Sequence, residues 1–271
     1  MFISASIVLY ETPKFLIDRI INCVSSATII DYLIIVDNSI GDPKYDLDGH
    51  KFIKYVKSKS NLGYGSAHNV AIREILSISD YHFVLNPDII FTSESINLMI
   101  DRMESDLDIG QLMPTILNPD GTIQYVCKIL PTPFDLIFRR FLKFAQDNNI
   151  YELRFTEYKY EMNVPYLSGC FMLFRVSALR EIGIFDERFF MYPEDVDITR
   201  RMHEKFITLF FPGASVIHDH AKASYKNFKM LWIHAVNMIR YFNKWGWIYD
   251  PIRVRVNKET LSSLTQCPQK S

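Results

Sequence analysis

A chain of 271 residues is long enough for one large α/β domain, or for two lobes sharing a core. With 48% hydrophobic and 23% charged residues, wholesale disorder is excluded. The formal net charge of -1 excludes a surface built as a whole to coat nucleic acid, so no nucleic-acid partner is expected. Cys23, Cys127, Cys170 and Cys267 lie far apart without a CxxC pair, which argues against a disulfide framework or a zinc knuckle and fits a reducing compartment. The opening MFISASIVLYE lacks a basic stretch and enters a strand directly, and no apolar run approaches the ~20 residues of a membrane span. The expectation is a soluble, cytoplasmic chain that at most rests on a membrane.

In chain order, SASIVLY reads as a buried strand and TPKFLIDRIINCV as the helix after it, with Thr12 placed to cap and Pro13 at the first helical position. YLIIVDNS and FIKYVKS read as strands, a helix opens within YGSAHNVAIREIL, and YHFVLNPD is a strand again. This alternation predicts an α/β fold with a mostly parallel central sheet flanked by helices. Right-handed crossovers would bring the strand ends to one edge and gather Glu11, Asp37 and Asp88 near one crevice. After GQLMPTILNPDGTIQ the pattern loosens, and residues 127–163 read as a variable, partly helical insertion. VPYLSGCFMLFRVSALREIG restores a strand and short helix, FDERFFMYPEDVDITRRMHEKF is a loop opening into a helix, and ITLFFPGASVIHDH is a final strand or strand pair. No internal repeat appears.

Several stretches carry chemistry. YHFVLNPDII stops a buried strand on Asn86, Pro87 and Asp88; this is an ordinary turn, or a carboxylate set where open parallel sheets meet their ligands. NLGYGSAHN, Asn61 to Asn69, has His68 where a dinucleotide fingerprint wants its third glycine, and no Walker lysine follows. It is a tight turn before a helix, or a glycine-rich backbone facing a diphosphate. MYPEDVDITRR puts Glu194, Asp195 and Asp197 in the first turn of a helix. The helix dipole favours carboxylates there by about 0.3 to 1 kcal/mol each, and Asp197 with Arg201 is an i,i+4 pair. The neighbouring aromatics fit instead a sugar pocket that raises a carboxylate pKa for general base work, and both readings stand. His218 and His220 in VIHDHAKAS share one face of a strand and are either hydrogen-bonded structural residues or a metal contact.

Taken together, VDNS, NLGYGSAHN, LNPDI, NPDGTIQ, LSGCFMLFR, FDERFFMYPEDVD and VIHDHAKAS occur in the order and spacing of a known family. Across nearly its whole length the chain resembles the family 2 glycosyltransferases, nucleotide-sugar enzymes of the GT-A fold, and especially the rhamnosyltransferase-like branch of bacterial surface polysaccharide synthesis. The resemblance implies a nucleotide-sugar site formed by Tyr10, Asp37, Asn61, Gly63, Asn69, Asn86, Asp88 and Gly169. It implies Asp195 as catalytic base with Glu194 as runner-up, and Asp88 with His218 as ligands of Mn2+ or Mg2+. Asn86 replaces the first acid of the family's DxD motif, which removes one carboxylate from that metal site.

The implied reaction is inverting transfer of a sugar onto a lipid-linked, polyprenyl diphosphate glycan in O-antigen or capsule assembly. L-Rhamnose from dTDP-rhamnose leads, ahead of a UDP-hexose or UDP-N-acetylhexosamine. The division implied is a GT-A domain over 1–225, with its nucleotide-binding part at 1–115 and acceptor part at 116–225. Residues 226–271 then form a C-terminal amphipathic helical extension. In that extension Phe228, Leu231, Trp232, Ala235, Met238, Ile239 and Phe242 follow helical spacing. From Lys222 to Lys258 the eight cations Lys222, Lys226, Lys229, Arg240, Lys244, Arg253, Arg255 and Lys258 are set against one acid, Asp250. The segment is a helix packed on the core, or an interfacial one that keeps the chain peripheral on the inner, anionic face of the bacterial plasma membrane. Two rival functions are a catalytically silent sugar-binding subunit and a nucleotide-sugar epimerase or dehydrogenase, against which the missing glycine counts.

Overall fold

Strand β1 (Ile3–Leu9) sends Ile3, Ala5, Ile7 and Leu9 to one face and Ser4 and Ser6 to the other, all buried, so both of its faces must be covered. The computed structural model describes residues 1–41, 45, 51–135, 148–219 and 228–266 and provides that cover. Helices α1 (Lys14–Ser26) and, later in the chain, α3 (Ser93–Glu104) bring Ile17, Ile20, Met99 and Ile100 to the first face. Helix α2 (Tyr64–Ile75) lies on the second, where Ala67 and Ala71 meet Ile34 and Val36 of β2 (Tyr32–Asp37). Thr92 caps α3, accepting Ser95 N–H at 3.2 Å. Thr12 does not cap α1 as expected: the helix starts at Lys14 behind Pro13, and the Thr12 hydroxyl accepts Tyr10 N–H at 3.2 Å.

The remaining strands are β3 (Ile53–Lys57), β4 (Tyr81–Leu85), β5 (Ile89–Ile90), β6 (Ile109–Leu117), β7 (Cys127–Lys128), β8 (Met162–Asn163), β9 (Tyr166–Leu167), β10 (Phe171–Arg175) and β11 (Ile207–His218). The main sheet runs β3-β2-β1-β4-β10-β6-β11-β5, with β8 also on β11, while β7 pairs β9. Strands β3, β2, β1 and β4 are parallel, and the order reverses beyond β1, which opens a crevice at the carboxyl ends of β1 and β4. Strand β10 runs antiparallel to β4 with Phe171 opposite Leu85. Its start therefore lies beside the end of β4, and Asn86 N–H donates to Cys170 O at 3.0 Å. Strand β11 is one long strand with a register shift between Phe211 and Ser215, and it ends with His218 opposite Ile89 of β5. Three strand ends thus meet at one point.

Helices α5 (Val176–Ile182) and α6 (Glu194–His203) complete the second face through Ala178, Leu179, Ile198 and Met202. In the loosely patterned insertion, β7, the short helix α4 (Asn148–Tyr151), a 3-10 turn at Arg154–Thr156 and β8 are seen; residues 136–147 lie outside the described residues. After β11 come α7 (Phe228–Trp245) and α8 (Pro251–Gln266). Tyr241, Phe242 and Val256 pack with Leu130, Phe189 and Val196 in a core of their own. Asn257 clamps Leu130, accepting its N–H at 2.8 Å and donating to its carbonyl at 2.9 Å. The helical spacing in α7 resolves into two faces: Met238 and Phe242 are buried, Trp232 and Ile239 exposed.

Helix α6 is tied to this segment by charge. Arg200 donates to both oxygens of Asp250 at 2.7 Å, and each side chain is 2% exposed. Breaking such a pair strands a buried charge, so Asp250→Ala is expected to lower unfolding free energy in urea by roughly 3–5 kcal/mol.

Candidate active site

The N-terminal turn of α6 presents two carboxylates in different surroundings. Asp195 accepts Gly169 N–H at 3.0 Å and Tyr166 O–H at 3.4 Å on Oδ2, and Val196 N–H at 2.8 Å on Oδ1. Burial raises its pKa above the ordinary value, while the Gly169 and Val196 N–H groups and Lys128 pull it back. Glu194 is 4% exposed, and its Oε2 meets no hydrogen-bond donor. Burial, then the charge of Asp195, pushes its pKa well above the carboxylate range. The two carboxylates thus differ in their donors: three reach Asp195, and none reaches Glu194 Oε2. Asp197, also in this turn, is structural: it is fully buried and bonded to Arg201 at 2.9 Å, to Trp245 Nε1 at 2.8 Å and to Lys244.

Gly169 sits against Asp195. A Cβ there would lie 3.2 Å from Asp195 Cβ and 3.5 Å from Tyr64 Cε1. Tyr64 O–H donates to the Gly169 carbonyl, and Tyr64 N–H donates to Phe190 O at 2.9 Å. Gly63 makes that approach possible: its φ is +85°, and a Cβ would stand 2.1 Å from Phe190 O. Burial, then Cys170, Glu194, Asp195 and Asp88, raise the Tyr64 hydroxyl well above its usual pKa.

Across the site Asp88 Oδ1 lies 3.3 Å from His218 Nε2, and Gln124 Oε1 is 3.1 Å from the other imidazole nitrogen. Asp219 N–H donates to Asp88 O at 3.0 Å, which fixes the strand ends together. Burial alone would lower the His218 pKa, but the Asp88 carboxylate 3.3 Å away and Cys170 push it up to about 10. A cation bound by this pair must displace that proton. A carboxylate oxygen and an imidazole nitrogen suit a divalent ion, although no cluster of three or more metal-type side chains gathers among the described residues. His220 lies outside the described residues.

The other expected site residues divide by what they touch. Tyr10 is exposed at the end of β1, and the half-buried Asn86 precedes Asp88. Asn61 Oδ1 accepts Gly63 N–H at 2.9 Å and shapes the turn before α2. Asp37 is fully buried; its carboxylate accepts Tyr55 O–H at 2.6 Å, Ser39 N–H at 2.8 Å and Lys57 at 3.2 Å. Burial opposes its charge, but these donors outweigh it and lower the pKa. Glu11, expected in the same crevice, accepts Ile40 N–H at 3.3 Å. Asn69 faces away from the crevice: its amide exchanges bonds with Phe185 O at 2.9 Å and Phe185 N–H at 3.0 Å, clamping the loop before α6.

Tyr64, Gln124, Tyr166, Cys170 and Lys128 were not singled out in the sequence. Tyr64, Gln124 and Cys170 lie inside the motifs quoted above, and Tyr166 immediately precedes LSGCFMLFR. Lys128, with Nζ 5.4 Å from the Tyr166 ring centroid, sits in the loosely patterned insertion, where no spacing marked it.

Residues 4–183, more than half of the chain, match the model of glycosyl transferase family 2. The chain belongs to that family, and its mixed α/β sheet is that of the GT-A fold. Over 197 residues it is 28% identical to the N-acetylglucosaminyl-diphospho-decaprenol L-rhamnosyltransferase of Mycobacterium tuberculosis, a match covering 68% of this chain and 64% of that protein. Over 188 residues it is 25% identical to the rhamnosyltransferase WbbL of Escherichia coli, covering 66% and 69%. Residues 1–349 of S. aureus TarS in complex with UDP-GlcNAc superpose with a TM-score of 0.61 at 13% identity, covering 96% of this chain and 72% of that one. The mannosyltransferase PcManGT of Pyrobaculum calidifontis, in complex with GDP-Man and Mn2+, gives 0.58 at 13% identity, covering 98% and 76%. At such identity the likeness is one of fold.

A carboxyl group whose pKa is raised by folding binds more protons in the folded than in the unfolded state, so stability is complete below the unfolded value and falls as pH rises through the folded one. Glu194→Gln is therefore expected to flatten the decline of stability above pH 4.5, by up to about 1.4 kcal/mol per pH unit, in urea titrations repeated across pH.

Proposed function

We propose that this chain is an inverting glycosyltransferase that moves a hexosyl unit from a nucleotide-sugar donor to a hydroxyl of a lipid-linked glycan. The observation supporting this is that Gly169, whose N–H bonds Asp195, lies just before the strand paired with the one that ends before Asp88, itself 3.3 Å from His218. In this mechanism Asp195 takes the acceptor hydroxyl's proton as its oxygen attacks the anomeric carbon from the side opposite the leaving diphosphate. A single in-line displacement inverts that centre. Tyr166 and Gly169 hold the carboxylate's orientation. Asp88 and His218 would hold Mn2+ or Mg2+, which supplies neutralisation of charge on the diphosphate. Asp37, Asn61, Gly63 and Tyr10 belong to the nucleotide side in this reading. Residues 1–115 then carry the donor, 116–225 the acceptor, and 226–271 the extension.

The donor we favour is dTDP-L-rhamnose, supported by the two rhamnosyltransferase relatives. The acceptor class is supported by the mycobacterial relative, whose name specifies a diphospho-decaprenol glycan. Such an acceptor places the working enzyme at an anionic inner membrane surface, with O-antigen or capsule as the product.

Asp195→Asn is expected to keep donor binding and reduce turnover by ~10²–10⁴, whereas Glu194→Gln, which mimics a protonated acid, loses far less. Equal losses from both substitutions would remove Asp195 from the role of base. Thermal shifts with dTDP-rhamnose, UDP-glucose, UDP-galactose and UDP-N-acetylglucosamine, each with Mn2+ and with EDTA, identify the donor by mass action. A rise for dTDP-rhamnose that EDTA abolishes is the expected result. A rise for a UDP-sugar alone would replace the donor, and binding without turnover on any lipid-linked acceptor would favour a silent sugar-binding subunit.

A further inference from the structure

Helix α7 has a second apolar face with no function in the fold. Its inward face carries Met238, Tyr241 and Phe242. Half a turn round, Trp232 and Ile239 are 66% and 48% exposed, on the stripe that continues to Asn243. Asn243 Oδ1 accepts Trp247 Nε1–H at 2.8 Å, which extends the stripe into the turn between α7 and α8. In that turn Ile248 and Tyr249 are 94% and 85% exposed, and Val254 follows on the outer face of α8. Consecutive large apolar side chains held this far into solvent stabilise nothing within the chain.

The turn is nevertheless rigid. Gly246 takes φ +105°, where a Cβ would meet Tyr249 O at 2.3 Å. Trp247 packs on Phe242 with centroids 5.2 Å apart, and Asp250, next to Tyr249, is held by Arg200 in the buried interior. A tip fixed on both sides presents a defined shape.

We propose that the outer face of the α7–α8 hairpin, with Ile248 and Tyr249 at its tip, docks this protein flat on an anionic bilayer. Charge selects this occupant. Arg255 and Lys258 are exposed on the outer face of α8 beside Val254 and meet lipid phosphates while Trp247, Ile248 and Tyr249 enter the headgroup layer. Glu259, the acid nearest to these cations in the chain, is already 4.0 Å from Arg255. No helix among the described residues is long and apolar enough to cross a membrane, so the hairpin lies along the surface.

Docking then has a consequence for the site. Asp250 bonds Arg200 on α6, the helix that begins with Glu194 and Asp195. The bilayer plane and the base are linked through one buried ion pair, so the surface sets the height at which a lipid-linked hydroxyl meets Asp195. This consequence rests on the lipid-linked acceptor proposed above; the docking itself does not.

The test is sedimentation of the full chain with vesicles of phosphatidylcholine alone or mixed with phosphatidylglycerol. The wild type is expected to partition onto the mixed vesicles, and Ile248→Ser with Tyr249→Ser to lower that partition at least roughly tenfold with an unchanged melting temperature. Arg255→Gln with Lys258→Gln is expected to remove the preference for phosphatidylglycerol while leaving weaker binding to phosphatidylcholine. Transfer to a water-soluble acceptor glycan should be unaltered in both, and transfer to the same glycan on a polyprenyl diphosphate in vesicles should fall with the apolar pair. A wild type that stays in the supernatant, variants that sediment like it, or a dimer on gel filtration that the Ile248 and Tyr249 changes split into monomers would overturn the docking proposal. If no donor supports transfer even to the soluble acceptor while vesicle binding behaves as expected, the catalytic reading fails and the docking surface stands.

Discussion

The Arg200–Asp250 pair is the constraint on which the arrangement of the site depends. Two 2.7 Å hydrogen bonds in the interior join α6 to the turn between the last two helices. A buried pair of this kind adds little net stability over an apolar substitute, because desolvation offsets most of its attraction. What it adds is position: the guanidinium and carboxylate fit in one geometry only. The Trp245 ring, 4.0 Å from the Arg200 guanidinium carbon, closes the remaining face. Asp197 repeats the device one turn earlier with Arg201, Lys244 and Trp245.

The loop that leads into this helix is held from two directions. Tyr64 N–H takes the Phe190 carbonyl from the side of α2, while Asn237 and Arg240 of α7 donate to Met191 O at 2.9 Å and Arg188 O at 2.7 Å. Between these clamps Tyr192 adopts φ +78°, against the His234 ring at 4.9 Å. A bulky residue stays in that conformation only where its surroundings over-determine it. The final helices α7 and α8 therefore buttress the loop before α6 with their inner faces and turn their outer faces to solvent.

His68, which takes the place of a dinucleotide glycine, also gains a physical account. Its Nδ1 bonds Ser6 Oγ at 2.7 Å, and Ser6 bonds His82 Nε2 at 2.9 Å, beneath the Tyr64 ring. Burial, joined at His68 by the neighbouring His82, lowers both imidazoles, His82 to about 3, so the network is neutral. Helix α2 is thus bonded to the sheet through side chains.

The alternation of strands and helices and the crevice at their ends were legible in the sequence, since hydrophobic period survives in one dimension, and the family resemblance implied the pairing of Asp88 with His218. Asn69 and Asp37 were legible as functional types, yet the tertiary structure turned Asn69 to the Phe185 backbone and closed Tyr55 and Lys57 around Asp37. Sequence spacing does not say which partner a buried amide or carboxylate meets. The different surroundings of Glu194 and Asp195 were likewise beyond the chain alone, because they depend on Gly169 N–H, 26 residues away, reaching one carboxylate and nothing reaching Glu194 Oε2. Helical spacing in the last segment was sufficient to predict a helix, but one apolar pattern served two faces. Only packing against Phe189 and Val196 decided which face is core and which is left outside, because burial is a property of neighbours that the sequence does not bring together.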